Sequence, residues 1–252
     1  MDIFSLFNNC KDQYSKLAPD IYCLKSETLN LSTKIYKYID LSALIDIMNG
    51  EFRVKLREDF SDRRENGELP LVNMEKMLPA GQSPTEQDYE RWKKSEDIRN
   101  SVGKIPASCF TLNENELYAM WKAFTTGYTG LRISSTIDKF IESIDTKGKF
   151  EVYIGAMHYE HIDIGCQNFT NYIFAKNRCY EIEKEVRAYF IPKKYYPSRP
   201  ILKIDGRKLI SEIRLSPFLP KGMKKFIIEN LKNSYPELAT RIRSSEILEN
   251  YN

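Results

Sequence analysis

Apolar positions in this chain recur at two periods, and the switches between them mark out the elements. Phe4, Phe7, Tyr14 and Leu17 fall at roughly helical spacing until Pro19, predicting a helical N-terminal extension within residues 1–30. Lys34-Ile35-Tyr36-Lys37-Tyr38-Ile39 reads as a strand. Asp40 then suits the cap of a helix carrying Leu41, Leu44, Ile45 and Met48 at i, i+3, i+4 and i+7, closed by Gly50. Phe52, Val54 and Leu56 alternate with Arg53, Lys55 and Arg57, the pattern of a half-buried strand with a basic outer face.

Residues 57–104 break this regularity. A run of charged and polar residues from Glu58 to Gly67 is followed by Pro70, Pro79, Gly81 and Pro84, so the segment reads as a polar inserted excursion. Ser83-Pro84-Thr85-Glu86 has the form of a capping box opening a polar helix with Tyr89, Trp92 and Ile98 as its few anchors, either a lid or a peripheral decoration. Core-like pattern resumes with a strand over Ala107–Thr111, then a helix capped by Asn113 and Glu116 whose stripe is Leu117, Met120, Trp121 and Phe124. Leu131-Arg132-Ile133 is a strand, and Ser135 and Asp138 cap a helix carrying Ile137, Phe140, Ile141 and Ile144. Strands follow at Phe150–Tyr159, Val186–Ile191 and Ile201–Ile204, and Pro220 opens a last helix that ends before Pro236. No Gly/Ser-rich linker divides the chain and there is no regular βαβ beat. The pattern predicts one α+β domain, residues 1–252, with a mixed, mainly antiparallel sheet flanked by helices.

Composition narrows the chemistry only a little. The 38 Lys and Arg nearly balance the 35 Asp and Glu, a net charge of +3 that gives no polybasic surface for nucleic acid. No apolar run approaches the ~18 residues of a membrane span, the first residues lack the basic start of a signal peptide, and Cys10, Cys23, Cys109, Cys166 and Cys179 form an odd, loosely spaced set. These features predict a cytoplasmic protein with free thiols and no membrane partner.

Neither a GxGxxG nor a GxxxxGK[ST] phosphate cradle is present, and no GxSxG elbow. The only histidines, His158 and His161, are spaced so that a strand would throw them to opposite faces, and no metal site is predicted. The stretch with a chemical signature is Lys176 to Phe190. Read as a strand, it puts Glu183, Glu185, Arg187 and Tyr189 on one face and Ile182, Val186, Ala188 and Phe190 on the other. Same-face neighbours lie roughly 7 Å apart, so the arginine can hold one carboxylate ionised while the other stays available. A solvated salt-bridged edge fits the same spacing, and a helix with Glu181 and Glu185 one turn apart fits its N-terminal half. A metal-dependent nuclease drawing on Asp59, Asp62, Glu183 and Lys176 is a further reading that their spacing does not require.

An ordered series of short motifs over residues 34–248 resembles a bacterial family, domain of unknown function twenty-nine seventy-one. The series comprises Tyr36-Lys37-Tyr38, Phe60-Ser61-Asp62, Cys109-Phe110-Thr111, Met120-Trp121 with Gly130, Tyr180-x-x-Glu183-Lys184-Glu185-Val186-Arg187, and Leu209 to Pro217. The motif order is similar to that of ADP-ribosyltransferase-like toxins. That resemblance implies NAD as substrate, Glu185 as the carboxylate that steadies an oxocarbenium-like transition state, and Glu183 as its partner toward the acceptor. It also implies Tyr36 or Tyr38 against the nicotinamide half, with Thr111 and Arg187 completing the cofactor contacts. The acceptor would be a protein or a nucleic acid, or water in a glycohydrolase, and the role that of a toxin or phage-defence effector. The departure is the first strand, which has no Arg or His, while Lys37 alternates away from both tyrosines. Either the cofactor is held differently, or the fold serves as a non-catalytic module binding a protein or nucleotide.

Overall fold

Strand alternation in the centre of the chain builds the molecule. The computed structural model describes residues 3–25, 28–60, 85–87, 89–90, 93, 101–126, 129–159, 173–194 and 201–247. In chain order the strands are β1 (Tyr14–Ala18), β2 (Ile21–Leu24), β3 (Lys34–Asp40), β4 (Glu51–Arg53), β5 (Lys55–Leu56), β6 (Pro106–Thr111), β7 (Gly130–Thr136), β8 (Ile144–Asp145), β9 (Phe150–Ala156), β10 (Glu185–Pro192), β11 (Ile201–Ile204), β12 (Glu212–Leu215) and β13 (Ile242–Ser244). Among the described residues, ten of these form one sheet in the order β1-β2-β9-β10-β6-β3-β7-β12-β13, with β5 pairing the end of β6. The pairs β2–β9 and β12–β13 are parallel and the rest of the sheet is antiparallel, so the α+β class with a mixed, mainly antiparallel sheet holds. A second, small sheet, β4-β11-β8, sits beside it.

Each face of the large sheet has its own core. Val186, Ala188 and Phe190 of β10 and Ile35 and Ile39 of β3 face α2 (Leu41–Met48) and the helix Ile137–Ser143, meeting Leu44, Ile47 and Phe140. Fully burying side chains of this size contributes about 1.5–3 kcal/mol each. Gly50 ends α2 at φ +86°, a conformation that favours glycine. On the opposite face Tyr153, Tyr189 and Ile191 pack against Phe174 and against Phe7 of α1 (Ile3–Asn8). Gly155 of β9 is needed there, since a Cβ would lie 2.6 Å from the Phe174 ring.

Several expected elements differ in the structure. The N-terminal helix ends at Asn8, and Tyr14–Ala18 is a strand: Pro19 and Asp20, at φ +62°, form the turn of a hairpin rather than the stop of a helix. Residues 1–30 are therefore not a helical extension, because β2 joins the main sheet alongside β9. The strand expected from Phe52 to Arg57 breaks at Val54, sending β4 and β5 to different sheets. The helix carrying Trp121 is α3 (Tyr118–Phe124) with Leu117 at its cap, and the Asn113 side chain donates instead to the Ile182 carbonyl at 2.7 Å. Met120 and Trp121 are buried, whereas Phe124 is exposed. Most of the 57–104 excursion lies outside the described residues, including Ser83 and Pro84 of its capping box and the expected anchors Trp92 and Ile98, as do His161 and Cys166; Tyr89, expected as an anchor, is exposed. No helix among the described residues is long and apolar enough to cross a membrane.

Candidate active site

The middle of the sheet is incomplete. β3 pairs along its whole length with β7 but meets β6 through a single register pair, Tyr36 with Thr111. A cavity of about 460 Å³ lies over this split. Glu185 and Arg187 of β10, Cys109 and Thr111 of β6, and Tyr36 and Tyr38 of β3 line it. Antiparallel register puts Glu185 opposite Thr111 and Arg187 opposite Cys109, so four of these side chains share one face of two adjacent strands.

Glu183 arrives by another route than the alternation expected of it. Residues Arg178–Glu183 form a 3-10 helix opened by Asn177, whose side chain accepts from the Cys179 N–H. Lys184 then takes a left-handed conformation, φ +42° and ψ +52°, and β10 begins at Glu185. The strand reading of Lys176–Phe190 thus fails before Glu185, and Ile182 is exposed rather than core. The bend nonetheless turns Glu183 back toward the cavity. Lys176 Nζ donates to Glu183 Oε2 at 2.7 Å and to Glu185 Oε2 at 2.9 Å.

Glu185 is held from all sides. Arg187 Nε donates to its Oε1 at 2.7 Å, and its backbone N–H donates to the Tyr159 hydroxyl at 2.6 Å. Burial alone would push this carboxyl up, but the charges of Arg187 and Lys176, with hydrogen bonds from Arg187 and Cys109, outweigh it and bring the group down to about 2. Glu185 is therefore a buried carboxylate that stays ionised. Arg187 is fixed in turn: Nη1 donates to the Tyr189 hydroxyl at 3.2 Å, the guanidinium lies 4.8 Å from the centre of the Phe60 ring, and the Tyr189 hydroxyl donates to the Ile173 carbonyl at 2.6 Å. Burial, followed by the nearby Glu185 charge, drives the Cys109 thiol up to about 12, so it is not a nucleophile at neutral pH.

The remaining predicted contacts are placed as follows. Tyr36 stands under Arg132, whose guanidinium is 4.5 Å from the ring centre, and Tyr38 packs edge-on against Trp121 at 4.9 Å. The Thr111 hydroxyl donates to the Glu183 carbonyl at 2.5 Å and accepts from the Asn113 N–H, so it ties β6 to the 3-10 helix. Of the residues considered for a metal, Asp59, Glu183 and Lys176 line the same cavity and Asp62 lies outside the described residues; no group of three or more His, Cys, Asp or Glu side chains suited to a metal ion occurs among the described residues. Sequence reasoning gave Lys176 and Tyr159 no part in the Glu185 centre and named Phe60 only within the Phe60-Ser61-Asp62 motif. The legible signal for Lys176 was its place one residue before Asn177, a good cap for the short helix that returns Glu183 to it.

Comparison with known protein families finds no match, and no curated protein matches the chain. The assignment to domain of unknown function twenty-nine seventy-one therefore has only its short motifs behind it. Among solved structures, DarT of Thermus sp. 2.9, determined in complex with ADP-ribosylated ssDNA, is similar over 90% of this chain and 100% of that chain, with 13% identity and a TM-score of 0.37. A likeness so remote transfers no role to any residue.

Proposed function

We propose that the cavity over the β3–β6 split binds NAD and that Glu185 drives cleavage of its nicotinamide–ribose bond. The observation that carries this reading is a buried carboxylate kept ionised inside a cavity of ligand size, with Tyr36 and Tyr38 across the split from it. As the C–N bond breaks, its electron pair leaves with neutral nicotinamide and positive charge grows on the anomeric carbon. A fixed anion facing that carbon stabilises the transition state more than the ground state. Glu183, on the same ammonium and less deeply buried, accepts the proton of the incoming nucleophile, which is water or a group on a protein or nucleic-acid acceptor. Tyr36 and Tyr38 supply aromatic surface for the nicotinamide half. An enzyme of this kind suits a toxin or defence effector.

The decisive assay is nicotinamide release from NAD by wild type and E185Q, with circular dichroism to confirm folding. Gln preserves the shape and removes the charge, so turnover should fall ~100-fold or more while binding changes little. A mutant with the wild-type rate would remove Glu185 from this role. One observation favours a second reading, a nucleotide-binding module without turnover: Lys176, Glu183, Glu185 and Arg187 form a charge-balanced quartet. NAD binding by calorimetry with no nicotinamide release under any acceptor would select it.

A further inference from the structure

Lys37 has its amino group bonded by neutral partners at the edge of the same cavity. Its side chain leaves β3 on the face opposite to Tyr36 and Tyr38, yet it also lines the cavity, because β3 and β6 part beyond their one pair. Its Nζ donates to Ser108 Oγ at 3.1 Å and to the Cys109 carbonyl at 2.8 Å, and it lies 5.1 Å from the centre of the Phe110 ring and 5.9 Å from that of Phe52. All four partners are uncharged. Burial drives the pKa of Lys37 down, with Cys109 and then Glu185 acting in the opposite sense and Lys55 adding to the fall. Burial therefore disfavours the charged form of this amino group, and an anion bound beside it would favour that form and offset the cost.

The strand register gives this cation a place along the cavity. Glu185 stands opposite Thr111, the Lys37 ammonium is bonded at Ser108 and Cys109, and Lys55 stands opposite Ala107. With ~3.4 Å per residue, Lys37 acts roughly 7–10 Å along β6 from the level of Glu185, and Lys55 roughly 14 Å from it. A pentose with its 5′ carbon and phosphate, together with the contact distances at Glu185 and at Lys37, covers the first interval, which puts the phosphate at Lys37 when the anomeric carbon faces Glu185. The other charged groups at this end are already engaged. Arg53 pairs with Asp46 at 2.8 Å, Asp40 accepts from the Thr126 N–H at 3.0 Å, and Asp59 accepts from the Leu56 N–H at 3.2 Å. Lys55 is exposed at the mouth of the cavity.

We propose that Lys37 and Lys55 form a phosphate subsite in the split between β3 and β6, taking the diphosphate of a dinucleotide whose ribose lies at Glu185. The position of the ribose rests on the NAD reading above. The cation that the first strand lacks on its tyrosine face thus comes through the gap in the sheet from the other face.

Calorimetry on the full chain tests this with three probes: ADP-ribose, inorganic pyrophosphate and nicotinamide riboside, which has no phosphate. ADP-ribose should bind at least tenfold tighter than pyrophosphate. K37M should weaken ADP-ribose about tenfold or more and K55E about fivefold, with nicotinamide riboside unaffected by either. Equal ADP-ribose affinity in wild type and both variants overturns the subsite, as does tighter binding of pyrophosphate than of ADP-ribose, or no wild-type binding of either at millimolar concentration. If K37M does not fold, the exposed K55E decides alone, and an unchanged affinity then overturns the proposal. The two readings fail separately: lysine-dependent ADP-ribose binding without nicotinamide release keeps the subsite and removes the catalysis, and nicotinamide release indifferent to K37M and K55E does the reverse.

Discussion

At the scale of single residues, the ion pairs of Glu185 link the fold to pH. The folded carboxyl lies at about 2, below the ordinary glutamate value, so the native state binds its proton less readily than the unfolded chain does. The resulting stabilisation is complete above the unfolded value of about 4.3 and is lost as pH falls through about 2; it amounts to roughly a few kcal/mol. Urea melts between pH 7 and pH 2 should therefore show a steep loss below about pH 4.3 in wild type and a flatter one in E185Q. K176M removes one of the two cations, raises the folded value, and should shrink the window from its acid end. An identical acid dependence in all three proteins would mean that the ion pairs leave Glu185 untouched in solution.

At the scale of elements, the join between the 3-10 helix and β10 sets the geometry of the site. Lys184 adopts φ +42° there, its N–H donating to the Glu181 carbonyl at 3.1 Å and its own carbonyl accepting from the Leu112 N–H at 2.9 Å. Left-handed backbone is tolerable for glycine and costly for a β-branched residue. Chemical denaturation should thus find K184G near wild type and K184V destabilised by about 1–2 kcal/mol, with K184V also losing nicotinamide release as Glu183 is displaced. This bend also marks where sequence reading reaches its end. β3, α2 and β10 were legible because Ile35 and Ile39, Leu44 and Ile47, and Val186, Ala188 and Phe190 follow the period of their element against one core. Glu183 shares the cavity through the left-handed turn at Lys184, which leaves no mark in hydrophobic periodicity. Tyr14 and Leu17 fit a helical spacing as well as a strand, and only pairing with residues from Ile21 onward decides between them. Lys37 was set aside by alternation, which is correct for its face; the gap that readmits it depends on which strands pair, a non-local fact.

At the scale of the whole molecule, the large sheet consists of two half-sheets. One contains β1, β2, β9, β10, β6 and β5, the other β3, β7, β12 and β13, and in the ladder Tyr36–Thr111 is their common rung. The candidate site is shared between them: Glu185, Arg187, Cys109 and Thr111 belong to the first half, Tyr36, Lys37 and Tyr38 to the second. Amides of β3 directed toward β6 beyond Tyr36 have no ladder partner in the sheet, so hydrogen–deuterium exchange should find them as fast as those of an edge strand, although β3 is central in the sheet. Saturating ADP-ribose should slow that exchange, and an unchanged rate would place the ligand on one half alone. A dinucleotide lying in the split takes the position of a missing strand, its sugar and phosphates bonded to both sides where peptide groups would otherwise meet. Loaded and empty protein would then differ mechanically, the one behaving as a continuous plate and the other as two leaves joined at a pin.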